Sequence, residues 1–267
     1  MLRTRIITAL ILAPVVIAAI YLLPSLAFAG VFWVFMAAGA WEWAPRARCG
    51  STPARVAFIA ACSLIVVVLL VLPDWMNAWL QLTVLGWGVA IIAVLTFPAS
   101  GRWVARPLVA GALGLVFLPG VLVALVVLHM QPGGAHWVLF GLLVCWAADI
   151  GAYFAGRAFG RRKLAPGVSP GKTWEGAIGG LLLALAVCGG ALAAAGSFDG
   201  AWLLCLCALV VVSVFGDLFE SLLKRASGVK DSGHLLPGHG GILDRMDSVL
   251  AVMPALALLL ISFPVLR

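Results

Sequence analysis

Residues 107–130 read PLVAGALGLVFLPGVLVALVVLHM, a run without a single Asp, Glu, Lys or Arg. At about 1.5 Å of rise per residue, a helix of this length covers the roughly 30 Å hydrocarbon thickness of a bilayer. A water-soluble helix would break such a run with polar positions, because only one of its faces meets a core. Comparable runs lie on both sides, near 6–23, 26–44, 56–72, 77–97, 136–156, 176–196, 201–223 and 249–265. Composition agrees. Of the 267 residues 64% are hydrophobic and 10% charged, whereas about a quarter of a soluble domain is charged. Gly, Ala, Leu and Val dominate without a period of two, so helices are expected and a β-barrel is not. The expected fold is all-α, a polytopic integral membrane protein with about nine transmembrane helices.

The basic residues test that count. Arg3 and Arg5 precede the first span, and Arg46, Arg48 and Arg55 fall in the second gap. Arg102 and Arg106 fall in the fourth, Arg157, Arg161, Arg162, Lys163 and Lys172 in the sixth, and Lys224, Arg225, Lys230 and Arg245 in the eighth. Of the 17 Lys and Arg, only Arg267 lies on the opposite side. By the positive-inside rule the N-terminus is cytoplasmic and the C-terminus outside, in a multi-pass protein of the cell (inner or plasma) membrane. Miscounting by one span would scramble the alternation. Arg3, Arg5 and the Ala27-Phe28-Ala29 triplet also resemble parts of a cleavable signal peptide. The first apolar run is longer than a usual h-region and leads almost directly into the second, so it is read as a retained span.

The six cysteines sit mostly inside spans without CxxC spacing, so neither disulfides nor a zinc site are expected. The net charge of +7 serves orientation first, and then the attraction of anionic lipid headgroups or phosphates. No basic patch is interleaved with aromatics on a soluble domain, and nucleic acid is not an expected partner.

Residues 1–135 are span after span with short connections, read as a scaffold that faces lipid or a second copy in a homodimer. Glu42, in Ala40-Trp41-Glu42-Trp43, reads there as an interfacial anchor. Residues 136–267 read as the catalytic region, with cytoplasmic loops at 157–175 and 224–248. Eight of the ten carboxylates lie between 149 and 247, and all of them but Asp199, which falls in a short external turn, are on the side of the basic loops.

Four groups of residues stand out in that half. Asp149 lies within an apolar run about two turns before Arg157, and a carboxylate there costs a few kcal/mol unless it faces a cation, water or the bundle interior. In Ser169-Pro170-Gly171-Lys172-Thr173-Trp174-Glu175-Gly176, the Gly-Lys-Thr triplet suggests a P-loop. That motif needs Gly at position 166, which is Pro, and a preceding strand, and no sheet is expected. The reading is a loop that brings Ser169, Lys172 and Thr173 near phosphate oxygens. Next, Asp217, Glu220, Ser221 and Lys224 share one helix face by their i, i+3, i+4, i+7 spacing, and that face cannot look at lipid. A Glu220–Lys224 salt bridge is the plain alternative for those two. Last, a helix beginning near Ile242 would carry Asp244 and Asp247 on adjacent turns of one face. With Asp217 they form an all-oxygen set of the kind Mg²⁺ takes alongside substrate phosphates.

The pattern Ser221-x2-Lys224-Arg225-x4-Lys230-Asp231-x-Gly233-x3-Pro237-Gly238-His239-Gly240-Gly241-x2-Asp244-Arg245-x-Asp247 resembles the signature of the phosphatidate cytidylyltransferases, also called CDP-diacylglycerol synthases. SPGKTWEG and the segment from Asp149 to Gly156 are similar to further motifs of that family, and RIITAL near the N-terminus matches weakly. The resemblance covers about the last 120 residues; before them the match is mainly one of hydropathy.

It implies transfer of the cytidylyl group of CTP to phosphatidate, with CTP, phosphatidate and membrane lipids as partners and the active site facing the cytoplasm. Two polyanions have to meet in that reaction, so cations are needed before positioning can help. Asp217, Asp244 and Asp247 are the expected Mg²⁺ ligands, with Asp231 or Glu220 behind them or at a second cation. Lys172, Lys224, Arg225, Lys230 and Arg245 are the expected phosphate clamps, and His239 donates to a phosphate or to the leaving pyrophosphate. Asp149, Ser169, Thr173, Glu175, Ser221, Gly238, Gly240 and Gly241 complete the expected substrate-binding set. Two other readings stay open at this level: a CTP-dependent lipid or polyprenol kinase, and a cation-coupled transporter using Asp149 and Asp217 as a relay.

Overall fold

The computed structural model describes residues 13–228, 233 and 240–263. Its helices follow the apolar runs: α1 (Ala13–Leu22), α2 (Ser25–Trp43), α3 (Thr52–Val71), α4 (Asp74–Leu95), α5 (Gly101–Val104), α6 (Pro107–His129) and α7 (Gly134–Phe159). After a short hairpin come α8 (Trp174–Ala184), a π-helical turn at Leu185–Gly189, α9 (Gly190–Ala194), α10 (Gly200–Ala226) and α11 (Leu243–Ser262). Among the described residues eight helices are long and apolar enough to span a membrane, with α8, the π turn and α9 counted as one. They coincide with the second to ninth expected spans. Of the first span only α1 lies within the described residues.

Helix ends obey local chemistry. Ser51 accepts a hydrogen bond from the Ala54 amide, Thr173 from Gly176 and Asp199 from Trp202, satisfying amides that the first turns of α3, α8 and α10 leave open. Pro107 starts α6, where its missing amide costs nothing.

The bundle is organised around α11, which packs against α10, α6, α4, α7 and α2. Pro254 interrupts α11 and cannot donate to the carbonyl of Leu250, four residues back. The buried Trp87 of α4 fills that place: its indole Nε1 donates to the Leu250 carbonyl at 2.9 Å. In a bilayer no water is at hand to do so. The Trp87 ring also stacks on Phe117 with centroids 4.4 Å apart. Trp87→Phe keeps an aromatic ring and removes only the donor, so it is expected to cost about 1–3 kcal/mol, read as a lower melting temperature of the detergent-solubilised protein.

Helices α7 and α8 make the most intimate pair. Gly151 and Gly180 lie directly against the facing backbone, and a Cβ on Gly180 would stand 2.5 Å from the Ala148 carbonyl oxygen. Close approach through small residues is how membrane helices pack where lipid is as apolar as the helix surface.

Two expectations are corrected. The segment before α8 is not a plain loop. Lys163–Ala165 (β1) and Ser169–Thr173 (β2) pair antiparallel, Lys163 opposite Thr173 and Ala165 opposite Ser169. A hairpin satisfies its own main chain around the Pro166-Gly167 turn and needs no larger sheet. Val168 is buried beneath it, and Leu164 and Ala165 pack on the core. There is still no P-loop, because Lys172 and Thr173 lie in the strand itself. Glu42 is likewise no interfacial anchor. Only 5% of it is exposed, and its carboxylate accepts from the amide of Leu243, far away in sequence. Its own helix turns it toward the bundle interior, where the first turn of α11 needs an acceptor.

Candidate active site

The C-terminal end of α2, the hairpin, the C-terminal half of α10 and the start of α11 meet at one end of the bundle. Asp217 lies on α10 one turn deeper than Glu220. Lys172, at the end of β2, reaches it with Nζ 2.6 Å from Oδ2. The next turn of α10 carries the pair expected from its spacing, Lys224 Nζ to Glu220 Oε2 at 2.9 Å. The same ammonium also contacts Asp244 Oδ1 at 2.8 Å, joining α10 to α11. The other oxygen of Asp244 accepts from the Gly241 amide at 2.8 Å. Asp244 is thus held by a cation and a backbone amide just before its own helix.

Asp247, one turn on, has different company. Asp217, Glu220 and Asp149 all lie within electrostatic reach of it, and Asp217 lies within reach of Asp149. Helices α10 and α11 are brought together here by Gly216, whose added Cβ would meet the Asp247 carbonyl oxygen at 2.6 Å. Glycine at 216 therefore allows the close α10–α11 approach that brings Asp217 within electrostatic reach of Asp247.

These groups share a cavity of about 910 Å³. Asp149, Lys172, Thr173, Asp217, Asp244, Arg245 and Asp247 line its polar part; Phe32, Phe35, Leu125, Leu142 and Trp146 line an apolar part. Glu175 is turned elsewhere, accepting from the amides of Arg161 and Arg162 at 3.1 and 3.2 Å, and so ties the start of the hairpin to α8. Arg225 donates through Nε to the Val168 carbonyl in the hairpin turn. Thr173 caps α8 while its residue borders the cavity. Ser169 lies in β2 and Ser221 on α10, both outside the cavity lining. Gly240 has φ +82°, a conformation that glycine adopts without strain, and Gly241 is buried beside it. Lys230, Asp231, Gly238 and His239 lie outside the described residues.

Among the described residues, no three His, Cys, Asp or Glu side chains are gathered closely enough to hold a metal ion as they lie. The donor chemistry nevertheless suits a hard cation. Three carboxylates, Asp149, Asp217 and Asp247, line the cavity within electrostatic reach of one another, and oxygen ligands beside substrate phosphates are what Mg²⁺ takes. Three participants carried little weight in the sequence. Gly216 was one glycine among many. Glu42, between Trp41 and Trp43, reads in the sequence as an interfacial anchor. Arg46, near Glu42, Glu220 and Asp244, looked like a topology marker.

A helical multi-pass membrane protein with acids and bases facing each other in a cavity that is otherwise largely apolar belongs to the class of membrane-embedded enzymes acting on charged amphiphiles. Its sequence assigns it more narrowly. The model of the cytidylyltransferase family matches residues 3–263, and the chain belongs to that family. It is similar to the phosphatidate cytidylyltransferase of Pseudomonas aeruginosa, 46% identical over 268 aligned residues that cover 97% of each chain. It is 38% identical over 285 aligned residues to the phosphatidate cytidylyltransferase of Haemophilus influenzae, covering 95% of this chain and 96% of that one.

Proposed function

We propose that this chain transfers the cytidylyl group of CTP to phosphatidate, forming CDP-diacylglycerol and pyrophosphate. The observation that carries the reading is the two-sided cavity: facing acids and bases at one part, aromatic and aliphatic side chains of α2, α6 and α7 at the other. A lipid phosphate with acyl chains matches both surfaces at once. The family and its relatives support the same reaction.

In this reaction a phosphate oxygen of phosphatidate bonds to the α-phosphorus of CTP, and the bond from that phosphorus to the α–β bridging oxygen breaks. The electron pair leaves with pyrophosphate. The attacking phosphate is already ionised near neutral pH, so no side chain has to remove a proton from it. Lys172 and Arg245, both on the cavity wall, neutralise phosphate charge and fix orientation. Lys224 and Arg225 support that wall through Asp244 and Val168, and Lys230 and His239 join the phosphate-binding set by their place in the motif. Asp217 and Asp247, with Asp149 beside them, are the carboxylates best suited to hold Mg²⁺; Asp244 contributes chiefly by orienting the start of α11. A bound cation supplies neutralisation of triphosphate charge and a good leaving group.

Residues 1–135 supply the scaffold and one apolar wall, and the charged end faces the cytoplasm, where CTP is found. Radiolabel settles the reaction. With α-labelled CTP and phosphatidate in mixed micelles, label is expected in the lipid; γ-labelled CTP is expected to release its label as pyrophosphate. Label from the γ-position in lipid would make the protein a kinase instead.

A further inference from the structure

We infer that Glu42 is a positioning residue for the active site, bracing Gly241 and Leu243 at the start of α11 from the opposite half of the chain. The inference rests on the cytidylyltransferase reading for its activity arm only. Glu42 ends an apolar helix, and burying a carboxylate there is costly unless the charge is used. Its Oε2 accepts from the Leu243 amide at 3.0 Å, placing a negative charge at the positive end of α11. The carboxylate is also enclosed by glycine backbone. A Cβ on Gly241 would stand 2.5 Å from Oε2, and one on Gly233 would collide with Oε1.

The brace connects to the chemistry in two steps. Gly241, packed on Glu42, donates its amide to Asp244, and Asp244 holds Lys224. Leu243, held directly, is the first residue of the helix that carries Arg245 and Asp247 into the cavity. On the other side, the Glu42 carbonyl accepts from Arg46 Nη1 at 3.0 Å, and Arg46 lies near Glu220 and Asp244. Glu42 does not itself line the cavity; it acts through the start of α11. Groups that support catalytic ligands from behind cost about 10- to 100-fold in activity when removed, although no contact with substrate is lost.

The test uses the intact, detergent-solubilised protein carrying Glu42→Ala, with Trp87→Phe as comparison. Both touch α11, Trp87 at the Leu250 carbonyl left open by Pro254 and Glu42 at its first turn. Amide hydrogen exchange without nucleotide is expected to speed up roughly fivefold over Leu243–Ser248 in Glu42→Ala, with α3 unchanged. Cytidylyl transfer is expected to fall about 10- to 100-fold, mainly in kcat. Trp87→Phe is expected to lower the melting temperature while kcat stays near wild type. If exchange over Leu243–Ser248 does not change, there is no brace. If exchange quickens and kcat is untouched, or if both variants lose activity only in proportion to melting temperature, Glu42 is structural and the positioning role is wrong. Should the alanine variant not accumulate, the isosteric Glu42→Gln and the crowding variant Gly241→Ala are read by the same two measurements. A wild-type protein without cytidylyl transfer would overturn the proposed function and leave the exchange result to decide the brace.

Discussion

Asp217→Asn is expected to reduce incorporation of α-labelled CTP into lipid by about 10²- to 10³-fold, the scale of losing one preorganised electrostatic contact to a reacting centre. The reason lies in the company Asp217 keeps. It is paired with Lys172 at 2.6 Å and shares the cavity with Asp149 and Asp247. Asparagine keeps the shape and removes the charge. Lys172 then loses its partner, and the oxygen set facing the triphosphate loses one anion. Asp247→Asn is expected to match it, since Asp247 has acidic neighbours on α7 and α10 and its carboxylate accepts from the amide of the adjacent Ser248. Asp244→Asn is expected to do less to chemistry and more to stability, because its oxygens already serve Lys224 and Gly241. Each variant is assayed for turnover in mixed micelles and for melting temperature. Equal loss at all three would return Asp244 to the ligand set, and full activity in Asp217→Asn would remove Asp217 from it.

Gly216→Val is expected to abolish measurable turnover while the protein still inserts into the membrane. The added Cβ alone would lie 2.6 Å from the Asp247 carbonyl oxygen and 3.1 Å from the Ser248 Cα, and backbone cannot yield as a flexible side chain can. Helices α10 and α11 have to separate, taking Asp217 away from Asp247. A misplacement of about 1 Å at reacting groups can cost 10²-fold, and this separation is larger than what one methyl group demands. Membrane fractionation and turnover are measured together. Wild-type turnover in Gly216→Val would show that the α10–α11 contact does not set the site.

Much of the architecture was legible in the sequence because the bilayer imposes two simple tests, apolar length and the sidedness of Lys and Arg. Eight of the spans read this way are helices in the structure within a few residues of their expected ends. The hairpin escaped, because β1 and β2 are three and five residues long and carry no alternating pattern. The Glu220–Lys224 pair was visible as an i, i+4 spacing on one helix. The contacts of Glu42 with Leu243 and of Trp87 with Leu250 were not, since each joins helices whose separation along the chain says nothing about their distance in space.

The sequence by itself determined a polytopic helical membrane protein, its family and the residue types from which a phosphate-handling site is built, because hydropathy and a long mixed motif are local properties of the chain. Only the tertiary structure decided which carboxylates keep company. It set Asp149 with Asp217 and Asp247 around the cavity, placed Asp244 between Lys224 and the Gly241 amide, and brought Glu42 beneath the first turn of α11. Helix spacing specifies the face a side chain takes, whereas its partner is fixed by how closely two helices approach. At α10 and α11 that approach depends on the missing side chain of Gly216.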